Sequence, residues 1–238
     1  MAARLAVAML GLQVSIGALN DLVDAPADAG RKPGKPIPRG AATIGEARLI
    51  AIGGFLVACA LTLPSGAAAV AVLALCALCG YGYDIRLSRT AVSWLPLAIA
   101  LPLVPVYAWL GATGGIPAAL LPLVPAGVLA GAGLSIANGL ADLERDVAAG
   151  SASIVVRLGR PMAFGAHALL LAGAVVVALV AGPAPRPALF AGIGVIVVGV
   201  LIGWWSGGPA RRERAWEFEA IGVALLGAGW IGALVRVG

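Results

Sequence analysis

Charge is what this sequence has least of. Only 11% of its 238 residues are charged, whereas 61% are hydrophobic and the mean hydropathy is +1.01. A soluble domain of this length needs far more polar surface, so the composition excludes that class and indicates a membrane protein. Aromatic residues are also few, at 5%.

Cysteine and histidine are too sparse for a zinc site. Cys76 and Cys79 form a CxxC pair within an apolar run, but no second ligand pair or nearby histidine completes a tetrahedral site. We interpret them and Cys59 as small apolar residues at helix interfaces. The only histidine, His167, also lies in an apolar run, and we expect it to pack or to form a hydrogen bond.

Eight apolar runs are long enough to cross the ~30 Å hydrocarbon layer of a membrane. They lie near residues 3–22, 44–63, 66–82, 91–110, 117–138, 162–181, 187–205 and 216–235. The first run is not a signal peptide, because it lacks a small-residue cleavage site and continues into an acidic motif. We predict an all-α, polytopic membrane protein in which residues 1–238 form a single transmembrane domain.

Most charged residues are predicted to lie on one side of the membrane. The four loops at 23–48, 83–90, 139–160 and 206–219 contain thirteen of the sixteen Lys and Arg residues, and that side also has all eleven acidic residues. By the positive-inside rule this side is cytoplasmic. Since topology requires only the cations, the acidic residues indicate a polar site at the cytoplasmic ends of the helices.

The first acidic motif runs from Asn20 to Asp28 at the end of an apolar run. Asp21, Asp24 and Asp28 are spaced i, i+3 and i+7, which places them on one face if the helix continues. Pro26 disfavours regular helix, so we expect Asp28 in the loop beyond the helix end.

The second motif repeats this frame 118 residues later, with Asn138, Asp142 and Asp146 spaced i, i+4 and i+8. Carboxylates are costly in lipid and need a partner. Mg²⁺ prefers oxygen ligands and commonly combines one or two carboxylates with substrate phosphates. We therefore expect the two helices to hold Mg²⁺ ions and a diphosphate. Basic residues that suit phosphate follow both motifs: Arg31, Lys32, Lys35, Arg39, Arg145 and Arg157.

The chain resembles the UbiA superfamily of intramembrane prenyltransferases. Residues 20–28 are similar to its NDxxDxxxD signature, and 31–40 to its basic, proline-punctuated loop. Residues 138–146 resemble its DxxxD motif, 150–159 its run into the next helix, and 81–89 its tyrosine-containing basic motif. The resemblance covers almost the whole chain in order, spacing and hydropathy.

Three departures accompany this resemblance. Gly139 stands where the family often has Asp, which removes one possible ligand of the metal or of its water. The Lys that usually follows the tyrosine by four positions is missing, and we expect Arg86 or Arg89 to substitute. The family's fold has nine transmembrane helices, with the first acidic motif at the end of the second. Here that motif ends the first span, so we expect the family's first helix to be missing from this chain.

The resemblance implies transfer of a polyprenyl group from a prenyl diphosphate to an acceptor, with Mg²⁺ as cofactor. It implies as metal ligands Asp21, Asp24, Asp28, Asp142 and Asp146. It implies as diphosphate-binding residues Asn20, Arg31, Lys35, Arg39, Asn138, Arg145 and Arg157. The active site is expected to face the cytoplasm from a multi-pass position in a prokaryotic cell membrane.

The resemblance also implies residues near the reacting carbon. The rings of Tyr81 or Tyr83 would stabilise an allylic cation. Asp84 would act as a base or, as we favour, orient a tyrosine or an arginine such as Arg86. The acceptor is expected to be a small aromatic molecule, the commonest class in the family.

Three other functions compete with this interpretation. Phosphatidyl transferases that use a CDP-alcohol have a longer Gly-, Ala- and Arg-rich motif, which is absent here. A polytopic transporter would have ionisable residues near mid-membrane, whereas these acids lie at helix ends. A structural or assembly role is the third alternative, and the expected loss of the first helix would favour such a non-catalytic remnant.

Overall fold

The computed structural model describes residues 1–28, 34–182, 187–205 and 207–235. The secondary structure of these residues is helical, with eight long helices and three short 3₁₀ turns. The helices are α1 (Ala2–Asp28), α2 (Ile44–Thr62), α3 (Ala67–Ile85), α4 (Leu95–Thr113), α5 (Leu123–Ala148), α6 (Ile154–Ala181), α7 (Pro187–Trp205) and α8 (Pro209–Leu234). All eight are long and apolar enough to cross a membrane, which confirms the predicted all-α polytopic fold.

Four helices extend well beyond the apolar runs that predicted them, and the first is α1, which continues to Asp28 instead of ending near 22. α5 continues to Ala148 instead of ending near 138, α6 begins at Ile154 instead of near 162, and α8 begins at Pro209 instead of near 216. Hydropathy detects only the part of a helix that lies in lipid, whereas backbone hydrogen bonds continue into the polar region. α6 is interrupted at Gly159, whose φ of +69° is not helical, just before Pro161.

The chain divides into two compact units. Unit 1 comprises residues 1–86 and 104–116, and therefore contains α1, α2, α3 and the second half of α4. Unit 2 comprises residues 87–103 and 117–238, with the first half of α4 and α5 to α8. The single domain expected over residues 1–238 stays a prediction.

In unit 1, α1 packs against α2 and α3. α1 and α2 lie close together at Gly54, where an added Cβ would lie 2.6 Å from the carbonyl oxygen of Gly11. Small residues allow this kind of close helix packing in membranes, where apolar burial alone gives little preference. Leu12 and Ala58 are fully buried beside this contact.

In unit 2, α5 packs against α6 and α8, and α7 packs against α8. Glycines again mark the tight contacts. Gly131 of α5 lies against the backbone of Leu97, and a Cβ on Gly199 of α7 would lie 2.8 Å from the carbonyl oxygen of Ala215 on α8. These glycines serve helix packing.

Candidate active site

The three aspartates of the first motif all lie on α1, which continues to Asp28. The expectation that Asp28 lies in the following loop was wrong. Pro26 removes one backbone donor, but it lies so near the helix end that the helix is retained through two further residues. Asp28 is 5% exposed, whereas Asp21 and Asp24 are partly exposed on the same face.

The ammonium group of Lys35 lies among the oxygens of this motif. Its Nζ is 3.2 Å from Asp21 Oδ1, 3.5 Å from Asp24 Oδ2 and 3.1 Å from Asp28 Oδ2. It also donates a 2.9 Å hydrogen bond to Asn20 Oδ1. Four residues of one helix therefore direct oxygen atoms at a single cation from the loop that follows.

The acidic surroundings keep Lys35 charged. Burial, the largest single influence, would by itself lower the pKa of the ammonium group. Hydrogen bonds to Asp28 and Asp21, with the negative charges of Asp28 and Asp24, outweigh burial and raise the pKa of Lys35 above its ordinary value. Lys35 is therefore a full positive charge at neutral pH.

Asn20 connects this cluster to α3. Its amide Nδ2 donates a 3.1 Å hydrogen bond to Oδ1 of Asp84, while its Oδ1 accepts from Lys35. Asp84 is 8% exposed, and its carboxylate fixes which way the Asn20 amide points. This orienting role toward Asn20 was not predicted, and the roles of Asp84 as base or as partner of a tyrosine or arginine stay predictions.

Tyr81 lies one turn before Asp84 on α3. Its hydroxyl group is 2.7 Å from Oγ of Ser15 on α1, and its ring meets Phe55 of α2 edge-on at 6.0 Å between centroids. The hydroxyl is thus engaged inside unit 1, and a ring edge or face is what Tyr81 can present to a substrate.

Four other side chains are predicted near the first motif, three arginines and one tyrosine. Arg39 is exposed in the loop before α2, and Arg86 is exposed where α3 ends. Tyr83 is partly buried on the last turn of α3. Arg31 lies outside the described residues. The assignment of these four side chains to catalysis or diphosphate binding stays a prediction.

The second motif lies in unit 2 on the last turns of α5. Because α5 continues to Ala148, Asn138, Asp142 and Asp146 lie along one side of a continuous helix, as their spacing predicts. The Asp146 side chain accepts a 3.0 Å hydrogen bond from Oγ of Ser153, just before α6. This bond holds the start of α6 next to the end of α5.

The basic residues of the second motif are engaged within unit 2. Arg145 forms an ion pair with Asp142, one helical turn before it. Nε of Arg157 donates a 3.1 Å hydrogen bond to the carbonyl oxygen of Ala152. Each guanidinium group has five N–H donors, so these contacts leave other donors that could bind a diphosphate.

A second polar cluster, which sequence reasoning missed, lies inside unit 2. Nε2 of His167 on α6 is 3.3 Å from Oε1 of Glu219 on α8, and the two side chains are 2% and 1% exposed. Arg212 lies on the same face of α8 as Glu219. It is buried and forms an ion pair with Glu144 of α5. Together with Trp216 these residues line a small, partly open cavity.

The sequence contained a signal for this cluster. The charges of residues 206–219 favour a loop, whereas Gly208 followed by Pro209 is a typical helix start. With α8 beginning there, Arg212, Trp216 and Glu219 are spaced i, i+4 and i+7 and share a face. His167 therefore has an acidic partner, which agrees with its expected hydrogen-bonding role.

The donor set at the end of α1 fits a divalent cation by its chemistry. Among the described residues, no three His, Cys, Asp or Glu side chains already form a coordination sphere for a metal. Three carboxylates and an amide oxygen nevertheless surround one positive charge. Mg²⁺ binds oxygens at about 2.0–2.1 Å, so the side chains must close in beyond their 2.9–3.5 Å distances to Lys35 Nζ.

Comparison with known proteins identifies the family. A sequence model of the UbiA prenyltransferase family matches residues 1–226. The chain belongs to the UbiA prenyltransferase family. This confirms the family predicted from the two acidic motifs and the basic loop. Among curated proteins, none matches the sequence significantly.

Solved structures agree with this UbiA fold. A UbiA homologue from Aeropyrum pernix K1 has a TM-score of 0.80 at 21% identity, with 98% of this chain and 89% of that chain covered. A UbiA homologue from Archaeoglobus fulgidus bound to GPP and Mg²⁺ has a TM-score of 0.68 at 20% identity, covering 95% and 87%. A digeranylgeranylglyceryl phosphate synthase has a TM-score of 0.65 at 16% identity, covering 98% and 85%. At these identities the structures show the fold.

Proposed function

We propose that this UbiA family member transfers a polyprenyl group from a prenyl diphosphate to an acceptor in the membrane, in a Mg²⁺-dependent reaction that releases pyrophosphate. The observation that carries the proposal is the arrangement of Asn20, Asp21, Asp24 and Asp28 around one cation at the end of α1. The Archaeoglobus fulgidus homologues bound to GPP and Mg²⁺ and to DMAPP and Mg²⁺ support the same chemistry.

The metal ligands proposed in unit 1 are Asp21, Asp24 and Asp28. In unit 2 we propose Asp142 and Asp146, on the ground of the repeated motif and the family resemblance. These carboxylates would hold Mg²⁺, whose positive charge would neutralise a bound diphosphate and stabilise the charge on the leaving group. Asn20, oriented by Asp84, contributes an amide oxygen to the same cluster, and Asn138 occupies the corresponding position in the second motif.

Basic side chains are proposed to bind the oxygens of the diphosphate. Guanidinium groups suit this task because they make paired, charge-assisted hydrogen bonds to phosphate. The proposed residues are Arg31, Lys35, Arg39, Arg145 and Arg157.

The reaction breaks one bond and forms another. The bond between the first prenyl carbon and the diphosphate oxygen breaks, and its electron pair stays on the departing pyrophosphate. The electron-rich acceptor attacks the allylic cation and loses a proton as the new bond forms. Tyr81 and Tyr83 are proposed to stabilise the cation with their rings. Arg86 and Asp84 are proposed to orient groups at the end of α3.

The site is proposed to face the cytoplasm. In unit 1 the Asn20–Asp84 hydrogen bond places the end of α1 beside the end of α3. In unit 2 the Arg212–Glu144 pair places the start of α8 beside the end of α5. These helix ends adjoin the loops that contain most of the Lys and Arg residues, the side that the positive-inside rule assigns to the cytoplasm.

The test is a donor-by-acceptor panel analysed by mass spectrometry together with pyrophosphate release. Prenyl diphosphates of increasing length are combined with aromatic acids, the proposed acceptor class, and with glycerol phosphates, because one similar structure is a digeranylgeranylglyceryl phosphate synthase. A prenylated product with Mg²⁺-dependent pyrophosphate release supports the proposal. Solute transport without diphosphate consumption would support a transporter, and neither activity would support a non-catalytic remnant.

A further inference from the structure

The position of Lys35 has a consequence for metal binding. Its Nζ lies within 2.9–3.5 Å of one oxygen from each of Asn20, Asp21, Asp24 and Asp28. These are the oxygens that a divalent cation would need at the same motif. An ammonium group and a divalent ion repel each other, and both cannot be surrounded by the same four oxygens.

We propose that Lys35 is a tethered counter-ion of the first motif, which a divalent cation displaces and which then binds the diphosphate. This inference rests on the proposed function, because it assumes that the motif binds metal. In it Lys35 holds the three carboxylates together when metal is absent. After displacement, its ammonium group becomes available to phosphate oxygens.

In the loop before α2, backbone hydrogen bonds hold the main chain in place, while the Lys35 side chain is free to change its position. The backbone carbonyl of Lys35 accepts a 3.1 Å hydrogen bond from the amide of Arg39, and that of Pro36 accepts a 2.9 Å bond from Ala41. The loop ends in a capping box, in which Thr43 and Glu46 bind each other's backbone amides at the start of α2. Lys35 itself retains 21% side-chain exposure, which gives its flexible chain a route out of the cluster.

The exchange couples metal to diphosphate. Metal binding alone leaves Lys35 without its oxygen partners, which opposes binding. A diphosphate supplies new partners for the displaced ammonium group and removes that opposition. Each ligand therefore raises the affinity for the other, and the coupling must be reciprocal. Loss of the Lys35 charge should strengthen metal binding in the absence of diphosphate, and it should weaken the coupling between the two ligands.

The experiment measures Mn²⁺ binding to the purified full chain in detergent, by electron paramagnetic resonance of the free ion. Wild type, Lys35→Met and Arg48→Met are titrated with and without inorganic pyrophosphate, after correction for Mn²⁺ bound by pyrophosphate in buffer. Arg48 is an exposed residue of α2 and matches the loss of one positive charge outside the cluster. Lys35→Gln serves as a second neutral variant if Lys35→Met does not fold.

The expected result is that Lys35→Met binds Mn²⁺ about tenfold more tightly without pyrophosphate, a change of about 1.4 kcal/mol. The enhancement by pyrophosphate should shrink, and Arg48→Met should behave as wild type. Without metal, Lys35→Met should also melt at a lower temperature than wild type, because its carboxylates have lost their counter-ion. Mn²⁺ should raise its melting temperature by more than it raises that of wild type.

Unchanged or weaker Mn²⁺ binding by a folded neutral Lys35 variant would overturn the inference. Equal tightening in Arg48→Met would also overturn it, since the effect would then be general electrostatics. Failure of the proposed function has a different signature: wild type would bind no Mn²⁺ with or without pyrophosphate and would release no pyrophosphate from prenyl donors.

Discussion

The Asp84 carboxylate accepts a 3.1 Å hydrogen bond from the Asn20 amide, and so joins the end of α3 to the end of α1. Through this bond a residue of the tyrosine-containing motif determines how a residue of the first acidic motif presents its oxygen. Asn20 and Asp84 are 64 positions apart in the chain, and neither motif alone indicates the contact.

The first prediction separates orientation from base catalysis at Asp84. Asp84→Asn retains an oxygen that can accept from Asn20, whereas Asp84→Ala leaves the Asn20 amide without its acceptor. We expect Asp84→Asn to keep most of the rate of pyrophosphate release and Asp84→Ala to lose about tenfold, roughly 1.4 kcal/mol of activation free energy. Equal and severe losses in both variants would instead show that Asp84 transfers a proton.

The second prediction concerns the buried pair in unit 2. Glu219→Ala removes the partner of His167 inside a membrane-spanning helix, and we expect it to cost about 3 kcal/mol of stability. Glu219→Gln keeps an oxygen and an amide at the same position and should cost about 1 kcal/mol. Thermal unfolding in detergent measures both variants. If Glu219→Ala has the same melting temperature as wild type, the His167–Glu219 pair does not stabilise unit 2.

The third prediction tests the close contact between α1 and α2. Gly54→Ala places a methyl group 2.6 Å from the Gly11 carbonyl oxygen, and separating the helices should cost about 1–3 kcal/mol. Gly53→Ala is the matched control, because a Cβ there meets nothing within 4 Å. It should be neutral or slightly stabilising, since Ala favours helix over Gly. Equal melting temperatures for the two variants would contradict this packing.

Much of the fold could be predicted because each span is a long apolar run. The helix faces also followed from spacing, as for Asp142 and Asp146 on α5. Helix ends could not be predicted this way, because hydropathy detects lipid contact and not backbone hydrogen bonds. The start of α8 at Pro209 is one such end, seven residues before its apolar run. Asp28 is a separate case, because its placement in a loop rested on Pro26, which does not end α1.

In the candidate site, too, the sequence predicted some features and not others. Carboxylates in a repeated frame predicted a cation site, because charged groups at the membrane need partners. The sequence could not predict that Lys35 is the cation at their centre, since its position depends on how the loop folds back onto α1. The same holds for Asn20 and Asp84, which meet only through the packing of α1 against α3.

The most direct test of the account is Mg²⁺-dependent pyrophosphate release from a prenyl diphosphate and acceptor by wild type, Asp24→Asn and Asp142→Asn. Glu213→Gln is the control, because it neutralises one exposed acid on α8 outside both motifs. We predict that each Asp variant loses at least about a hundredfold in rate, as is typical when a group that stabilises leaving-group charge is removed, while Glu213→Gln matches wild type. Undiminished release by both Asp variants would contradict the account.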